Sequence, residues 1–518
     1  MLDAVLWKKF PDLMASASDS STVARRFLSP LDQVLPGCRH SRLRPALPDS
    51  DWLRLLVGRV LHEVPSGRAF LQEFAHRFPV SAATGAFFES LESTRRLRLL
   101  RELNAALQPL ARQAGTDPLA QSSALDDFLV FAGDGHFHAA AVHDAAVDAT
   151  KYATGHFYGL DLRYRGVVHL TTGDREERLK EHDMRALKRL DIETLRQGAA
   201  KGRKVLWVWD KAGIDFQQWH RWKQGAGIYF ISRAKEGQAE EVMGERSWER
   251  TDPINQGILA DQLVGTFSGV LIRRITYRDP VDGEVFAFLT HEMGLAPGLI
   301  AHLNRLRWDI EKVFDEFRNK LGEKKSWAST PTAKCIRAQC LCLVHTLLLL
   351  FEKSVVEPSG IRNEAEDARR LKRLGELEAR VQSVGERLPE AVRQLLRCTQ
   401  HSVKLIRWLR SCLFLTTSCA ANLPRLRELY AKLQVQISDT VPVASSVAAK
   451  GVGVEVTAPD LPVEGGQRGV LRGGAVPSRC GDGSAGLVRA EDDSAGGGRP
   501  GGRAARDYLA SSGRSMKA

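Results

Sequence analysis

A glutamate lies between two arginines at helical spacing in the segment 304–318. Arg307 stands four residues before Glu311, and Arg318 stands seven residues after it. Because residues three, four and seven apart share one face of a helix, we expect these side chains and that of Asn304 to project together. A second stripe at helical spacing predicts a buried ridge on the same helix: Leu303, Leu306, Ile310, Val313, Phe317 and Leu321. A carboxylate held between two guanidinium groups is suited to a metal ion beside phosphate oxygens.

Two further carboxylates follow apolar runs that read as buried strands. Asp134 follows the run 128–132 and lies between two glycines, and Asp210 follows the run 205–209. Glycine allows the backbone to approach a ligand closely, and an aspartate at the end of a strand can point into a cleft. Both acids are therefore candidates for the same site as the glutamate of the helical segment.

The helical segment resembles the signature of DDE transposases from bacterial insertion sequences of the large family numbered four, Y-x-x-R-x-x-x-E-x-x-x-x-x-x-K. Two of its four positions depart from that pattern, because Asn304 stands where the family has tyrosine and Arg318 stands where it has lysine. The arginine keeps a cation, although a planar guanidinium and a compact ammonium bind phosphate differently. The asparagine lacks the ring and the hydroxyl group of the tyrosine.

The two aspartates resemble the first and second acids of that family, which lie on adjacent strands of a ribonuclease-H-like sheet. The resemblance implies three residues that are both catalytic and metal-binding: Asp134, Asp210 and Glu311. It also implies three DNA-binding residues on the signature helix: Asn304, Arg307 and Arg318. Attack on a phosphodiester is served by two divalent ions roughly 3.5 to 4 Å apart, and Mg²⁺ and Mn²⁺ prefer carboxylate oxygens. We therefore expect two ions, Mg²⁺ or Mn²⁺.

Other acids compete for these roles. Asp144 and Asp148 are near Asp134 in the sequence, but only Asp134 follows an unbroken apolar strand. Three acids compete with the glutamate of the signature, which alone keeps both arginine spacings: Asp309, Asp315 and Glu316. A zinc-dependent hydrolase is a further alternative, since the alternation of a strand places His136 and His138 on one face. A catalytic zinc site usually needs three protein ligands, and no third follows at a recognisable spacing.

The charge balance agrees with a nucleic-acid partner. The chain has 74 Lys plus Arg against 62 Asp plus Glu, a formal charge of +12 and a pI near 9.4, which favours polyanions. The resemblance implies DNA as the partner, as terminal inverted repeats and target DNA, and a homodimer in the DNA complex. A catalytically inactive DNA-binding descendant of a transposase remains open, because Asn304 and Arg318 differ from the family.

We predict an α/β fold with a ribonuclease-H-like mixed sheet flanked by helices, and five regions along the chain. These are a helical N-terminal domain (1–125), which the resemblance implies binds DNA ends, a catalytic core (126–225 and 295–355), a β-rich insertion that the resemblance also leads us to expect (226–294), a helical C-terminal region (356–438) and a disordered Gly/Ala/Arg-rich tail (439–518).

The location of the protein is predicted from its cysteines and apolar segments. The eight cysteines form no Cys-x-x-Cys pair and read as reduced thiols. The apolar stretch Cys340–Phe351 is too short to span a membrane and fits a core helix. We expect no membrane partner and a cytoplasmic, nucleoid-associated protein.

Overall fold

The computed structural model describes the chain from residue 23 to residue 427, with gaps. The residues left out are 1–22, 43–46, 63–65, 78–81, 116, 121, 147–148, 174–180, 236–240, 280–282, 323–325, 362–363, 384, 386, 389–402, 414–422, 425 and 428–518. The predicted disordered tail therefore lies outside the described residues, as do parts of the predicted C-terminal region.

Helices come first along the described chain, as the spacing of apolar residues predicts. They are α1 (Val23–Val34), α2 (Asp49–Leu61), α3 (Gly67–Arg77), α4 (Thr84–Ser90) and α5 (Thr94–Ala114). The longest of them, α5, begins at a serine cap, where the side chain of Ser93 accepts a hydrogen bond from the amide of Arg96. Its buried leucines pack in the same hydrophobic core as the sheet.

The centre of the fold is one mixed sheet. Its strands are β1 (Phe128–His138), β2 (Thr154–Asp161), β3 (Val167–Thr172), β4 (Lys204–Trp209), β5 (Ile228–Arg233), β6 (Glu241–Glu245), β7 (Ile258–Gly265), β8 (Leu271–Arg278) and β9 (Val285–Thr290). The order across the sheet is β3-β2-β1-β4-β5-β9-β8-β7-β6. Helices α6 (Asp183–Lys188) and α7 (Ile192–Arg196) connect β3 to β4, and α8 (Phe216–Ala226) connects β4 to β5. The predicted α/β class, with a mixed sheet flanked by helices, is confirmed.

The two central strands are buried on both faces. Val130 and Ala132 of β1 pack into one hydrophobic core with the N-terminal helices, whereas Leu129 and Phe131 pack into a second core with α6, α7 and α8. This alternation is the period of two that a strand imposes, and it explains why the sequence reads as a continuous apolar run. The strand-like runs at β1 and β4 are thereby covered by helices on both sides.

The β-rich segment after the core continues the same sheet. Strands β6 to β9 pair antiparallel with one another, and β9 pairs antiparallel with β5. Strand β5, which the sequence prediction placed inside the insertion, instead pairs parallel with β4. Because two parallel strands need a crossover helix, β4, α8 and β5 form one βαβ unit of the core. The boundary predicted at residue 226 therefore moves to the end of β5.

Helices return after the sheet. They are α9 (Pro297–Leu306), α10 (Trp308–Asp315), α11 (Pro331–Phe351), α12 (Glu364–Ser383) and α13 (Val403–Leu413), with wider helical turns at Glu316–Lys320 and Glu352–Val356. The segment Pro331–Val356 is long and apolar enough to cross a membrane, but most of it is buried inside the protein. It is a core helix, as predicted for its apolar C-terminal half.

Candidate active site

Asp134 and Asp210 lie side by side because β1 and β4 are parallel neighbours. Ala132 of β1 pairs with Val208 of β4, and continuing this register by two residues places Asp134 opposite Asp210. Neighbouring strands are separated by about 4.8 Å, so the two aspartates start from adjacent backbones. The prediction that Asp134 ends its strand is wrong, since β1 continues to His138 and only β4 stops at the acid.

The glycine before Asp134 has a packing role. A Cβ atom on Gly133 would lie 1.5 Å from the Trp209 ring, so the indole occupies the space that a side chain would need. On the next strand, a Cβ atom on Gly159 would lie 2.8 Å from the ring of Trp207. The sequence prediction assigned the first glycine to close approach of a ligand. In the structure it accommodates a tryptophan from the neighbouring strand and so keeps β1 and β4 in register.

A third aspartate joins the first two. One carboxylate oxygen from each of Asp134, Asp183 and Asp210 lies within 4.8 Å of the other two. Asp183 is the first residue of α6 and is 1% exposed. The sequence analysis gave Asp183 no role in the site. Its only signal was an acid at the start of the segment that links β3 to the strand bearing Asp210.

Glu311 reaches Asp134 from α10. Its carboxylate raises the pKa of Asp134 by charge repulsion and by a hydrogen bond between the two acids. It is 3.9 Å from Nη1 of Arg307, and the same nitrogen donates a hydrogen bond to Oδ2 of Asp134 at 2.7 Å. The structure thus brings Glu311 and Arg307 to the first aspartate, although Glu311 is not part of the set of three mutually close aspartates.

The pKa of Asp134 is raised from 3.8 to about 7, mainly by burial. The negative charge of Glu311 contributes to the rise, whereas Arg307 and the amide of Gly135 oppose it. The amide donates to Oδ1 of Asp134 at 2.7 Å. A buried carboxylate that is hard to ionise favours a cation at the same place, because the cation stabilises the charged form.

Asp210 is held in a different way at the end of β4. Its Oδ1 accepts a hydrogen bond from the amide of Ala212 at 2.8 Å, and its carbonyl oxygen accepts one from the hydroxyl group of Ser232 at 2.7 Å. The carboxylate therefore caps the short turn Lys211–Gly213 and is only partly buried. A cap fixes the side chain in one orientation, which keeps its second oxygen available at a defined place.

The signature segment is two helices and not one. Helix α9 ends at Leu306 and α10 begins at Trp308, and the amides of Arg307 and Ile310 make tighter i to i−3 hydrogen bonds across the junction. The predicted ridge is nonetheless buried along its whole length.

Asn304 lines a different cleft from Glu311 and Arg318. It lines a cleft between α9, α10 and the strands β8 and β9, together with Trp308 and Lys312. Glu311 and Arg318 line another cleft, together with Gly135 of β1. The structure therefore keeps Glu311 and Arg318 together across the wider turn at Glu316–Lys320 and does not bring Asn304 to their cleft. The expectation that all four polar side chains share one face is wrong for Asn304.

The competing acids have structural partners. Asp144 is buried and accepts a hydrogen bond from Nζ of Lys334 at 2.7 Å. Glu316 is fully buried and hydrogen-bonds to Nδ1 of His345 at 2.7 Å, which ties the turn after α10 to α11. Both acids stabilise the core, and neither belongs to the aspartate set. Asp148 lies outside the described residues.

The histidines near Asp134 do not form a zinc site. Nε2 of His138 is 2.7 Å from the hydroxyl group of Tyr158, and Nδ1 of His156 is 3.0 Å from Nε2 of His169. Burial lowers the pKa of all three histidines, so the rings are neutral and pair with one another and with tyrosine. Within the described part of the chain, the three aspartates are the one group of His, Cys, Asp or Glu side chains whose ligand atoms all lie within 4.8 Å of one another. The alternative of a zinc hydrolase is therefore not supported.

The donor set fits a hard divalent cation. The three clustered aspartates offer only oxygen atoms, which Mg²⁺ and Mn²⁺ prefer, and no thiolate or imidazole is among them. Close carboxylates repel one another, and a divalent ion relieves that repulsion. The arrangement can thus hold a metal ion at the carboxyl end of β4, beside a cleft that Arg318 lines.

A comparison with known proteins identifies a domain within the chain. Residues 168–347 match the family model of the transposase DDE domain. The match runs from β3 to α11 and contains Asp183, Asp210 and Glu311, whereas Asp134 lies before it. No curated protein matches the chain. Enzymes with this domain bind DNA and use divalent metal ions, for which the aspartate cluster supplies suitable oxygen ligands. The matched segment is thus a transposase DDE domain, the domain of enzymes that cleave DNA and transfer the cut strands, and it contributes Asp183, Asp210 and Glu311 to the candidate site.

Proposed function

We propose that Asp134, Asp210 and Glu311 hold two ions, Mg²⁺ or Mn²⁺, and that this site cuts and joins DNA at the ends of a mobile element. The observation that carries the proposal is the meeting of three distant chain segments at one place. Asp134 and Asp210 lie in one carboxylate cluster, and Glu311 acts directly on Asp134. When bound, paired divalent ions activate the attacking oxygen and stabilise the leaving oxygen of the phosphodiester.

Arg307 has a positioning role in this proposal. Its guanidinium group bonds to Asp134 and approaches Glu311, so it sets the distance between the acid of β1 and the acid of α10. Only 12% of its side chain is exposed, which limits the contact that it can make with a DNA backbone outside the site. We therefore assign the phosphate contact that the sequence predicts for Arg307 to the phosphate at the reacting centre.

Arg318 is proposed to contact a DNA phosphate. It is exposed and lines the cleft that also contains Glu311 and Gly135. An arginine at the mouth of such a cleft offers two parallel hydrogen bonds to a phosphate group. Asn304 lies in the neighbouring cleft beside Trp308 and Lys312, so a DNA contact from Asn304 would involve a different part of the bound strand.

The N-terminal helices are proposed to take part in DNA binding. A cavity of about 800 Å³ lies between α2, α3 and α4 and the turn that follows α10. Its lining includes four basic side chains: Arg59, Arg68, Lys320 and Arg410. Positive charge concentrated at a concave surface favours a polyanion, which supports the assignment of this region to the ends of the element.

The finer classification rests on the signature helix. The spacing of Arg307, Glu311 and Arg318 supports a transposase of the type found in insertion sequence family four. We propose that the enzyme acts on terminal inverted repeats and target DNA, that it is a homodimer in the DNA complex, and that it is cytoplasmic and associated with the nucleoid. Light scattering of the protein with and without DNA that carries two ends tests the dimer.

A cleavage assay tests the proposed site. The full chain is incubated with Mn²⁺ and DNA that contains the flanks of its own gene, and nicking and binding are measured on the same samples. We expect the variants Asp134→Asn and Asp210→Asn to bind DNA and to lose nicking. Asp191→Asn is the matched control, because Asp191 caps α7 and lies outside the carboxylate cluster. Binding without nicking by the unaltered chain would instead indicate a catalytically inactive descendant.

A further inference from the structure

Asp183 is placed as closely to the site as the acids of the signature. Its carboxylate lies within 4.8 Å of those of Asp134 and Asp210, and it is 1% exposed. By contrast, Glu311 is half exposed and approaches the site only through Asp134. In this structure, the acid that completes a set of three with Asp134 and Asp210 is therefore Asp183.

The position of Asp183 is fixed by local packing. His182 caps α6, since its side chain accepts a hydrogen bond from the amide of Met184, and Met184 is buried in the core beneath the sheet. Nε1 of Trp209 donates a hydrogen bond to Oδ2 of Asp183 at 3.4 Å. The indole that fills the space above Gly133 thus also orients the third carboxylate.

We propose that Asp183 is a further metal-holding residue, which binds one divalent ion together with Asp134 and Asp210, while Glu311 serves the opposite side of Asp134. The inference rests on the proposed function, because it concerns the same ions. Asp134 is then the acid shared by both sides of the site. Three carboxylates with one hard cation form an oxygen-only donor set, which Mg²⁺ and Mn²⁺ prefer.

A purely structural role for Asp183 makes a different prediction. The acid could serve only to orient the Trp209 indole and to begin α6. The variant Asp183→Asn separates the two roles, because an amide oxygen still accepts the indole hydrogen bond but carries no charge. If the role is structural, this variant behaves as the unaltered protein in every measurement of metal binding.

The test is Mn²⁺ binding to the full chain without DNA, measured by calorimetry and by the electron paramagnetic resonance signal of free Mn²⁺. We expect Asp183→Asn to bind Mn²⁺ at least about tenfold more weakly, since even outer-shell partners of a metal typically cost roughly 10- to 100-fold. The melting temperature without metal should stay close to that of the unaltered protein. Asp191→Asn is the matched control, because Asp191 caps the next helix outside the cluster and should leave Mn²⁺ binding unchanged.

The outcomes separate this inference from the proposed function. If Asp183→Asn binds Mn²⁺ normally while Asp134→Asn does not, the role of Asp183 is structural and the inference is overturned, but the proposed site stands. If Asp134→Asn also binds normally, the proposed site itself fails. Should Asp183→Asn not fold, Asp183→Ser takes its place, since a hydroxyl group can still accept a hydrogen bond but carries no charge. An affinity of Asp183→Ser equal to that of the unaltered protein also overturns the inference.

Discussion

Nη1 of Arg307 donates a hydrogen bond to Oδ2 of Asp134 at 2.7 Å and joins two residues 173 positions apart. Arg307 lies at the junction of α9 and α10, and Asp134 lies inside β1. This contact links the signature segment to the central strand of the sheet. It is made at the tight junction, where the amides of Arg307 and Ile310 form i to i−3 hydrogen bonds.

Replacing Glu311 tests the acid of the signature helix. We expect Glu311→Gln to bind end-containing DNA as the unaltered protein does and to lose at least about a hundredfold in cleavage rate, more than an outer-shell residue usually costs. The amide keeps the size of the side chain but removes the charge that acts on Asp134. Gel-shift and nicking assays in Mn²⁺ measure both properties. Normal nicking by this variant removes Glu311 from the site.

Replacing Arg318 tests the phosphate contact. Arg318→Ala should weaken both DNA binding and cleavage, and the slope of log affinity against log salt should fall by about 0.9, the value for one lost phosphate contact. Arg203→Ala is the control, because Arg203 is exposed and lies before β4, at the opposite end of that strand from Asp210. An unchanged salt slope for Arg318→Ala rules out the contact.

The acid–base balance of Asp134 predicts a pH-dependent stability. Its pKa is raised from 3.8 to about 7 in the folded protein, so the folded state binds the proton more tightly than the unfolded chain. Stability is therefore lost as the pH rises from about 4 to about 7. Without divalent metal, we expect Asp134→Asn to melt at a higher temperature than the unaltered protein at pH 8, and the difference to shrink towards pH 4.

Asp191 provides a control of opposite sign for this series. The Thr194 hydroxyl and amide lower the pKa of its carboxyl group. At any pH above the ordinary pKa of an aspartate, ionisation of Asp191 therefore does not destabilise the folded state. Asp191→Asn should bring no gain in melting temperature at pH 8. The account of Asp134 is contradicted if its Asn variant is less stable than the unaltered protein at pH 8, or if the difference does not change with pH.

The packing of Trp209 predicts a cost at Gly133. A Cβ atom there would lie 1.5 Å from the ring, so Gly133→Ala must move the indole or the strand. We expect a loss of about 1 to 3 kcal/mol in the free energy of unfolding, the usual cost of overpacking. In contrast, a Cβ atom on Gly225 of α8 meets nothing within 4 Å, so Gly225→Ala should be neutral or stabilising. Urea denaturation of both variants measures the difference, and equal stabilities contradict the packing argument.

The sequence predicts the elements of this fold better than their junctions. The apolar runs of β1 and β4 and the buried ridge from Leu303 to Leu321 depend on neighbours in the chain, and the structure confirms them. The break at Arg307 is different, because apolar spacing gives no signal for the two i to i−3 hydrogen bonds there. Local spacing placed Asn304 with Glu311 and Arg318, whereas Asn304 lines a different cleft.

The site shows the same limit. Asp134 and Asp210 are visible in the sequence because each follows an apolar run, and parallel pairing brings them together. Asp183 follows no such run and begins a six-residue helix, where an acid is an ordinary first-turn residue. Its carboxylate is oriented by tertiary contacts, among them the hydrogen bond from Trp209. Such a contribution depends on tertiary contacts that spacing cannot reveal.

We propose above all that Asp134 and Asp210 hold the catalytic metal at the carboxyl end of β4. Crystals of the full chain with end-containing DNA and Mn²⁺, measured at the manganese absorption edge, test it most directly. We predict anomalous peaks bound by the carboxylates of Asp134 and Asp210, with Glu311 within reach of the same cluster. Manganese bound elsewhere in the protein, with no peak at these aspartates, would contradict the account.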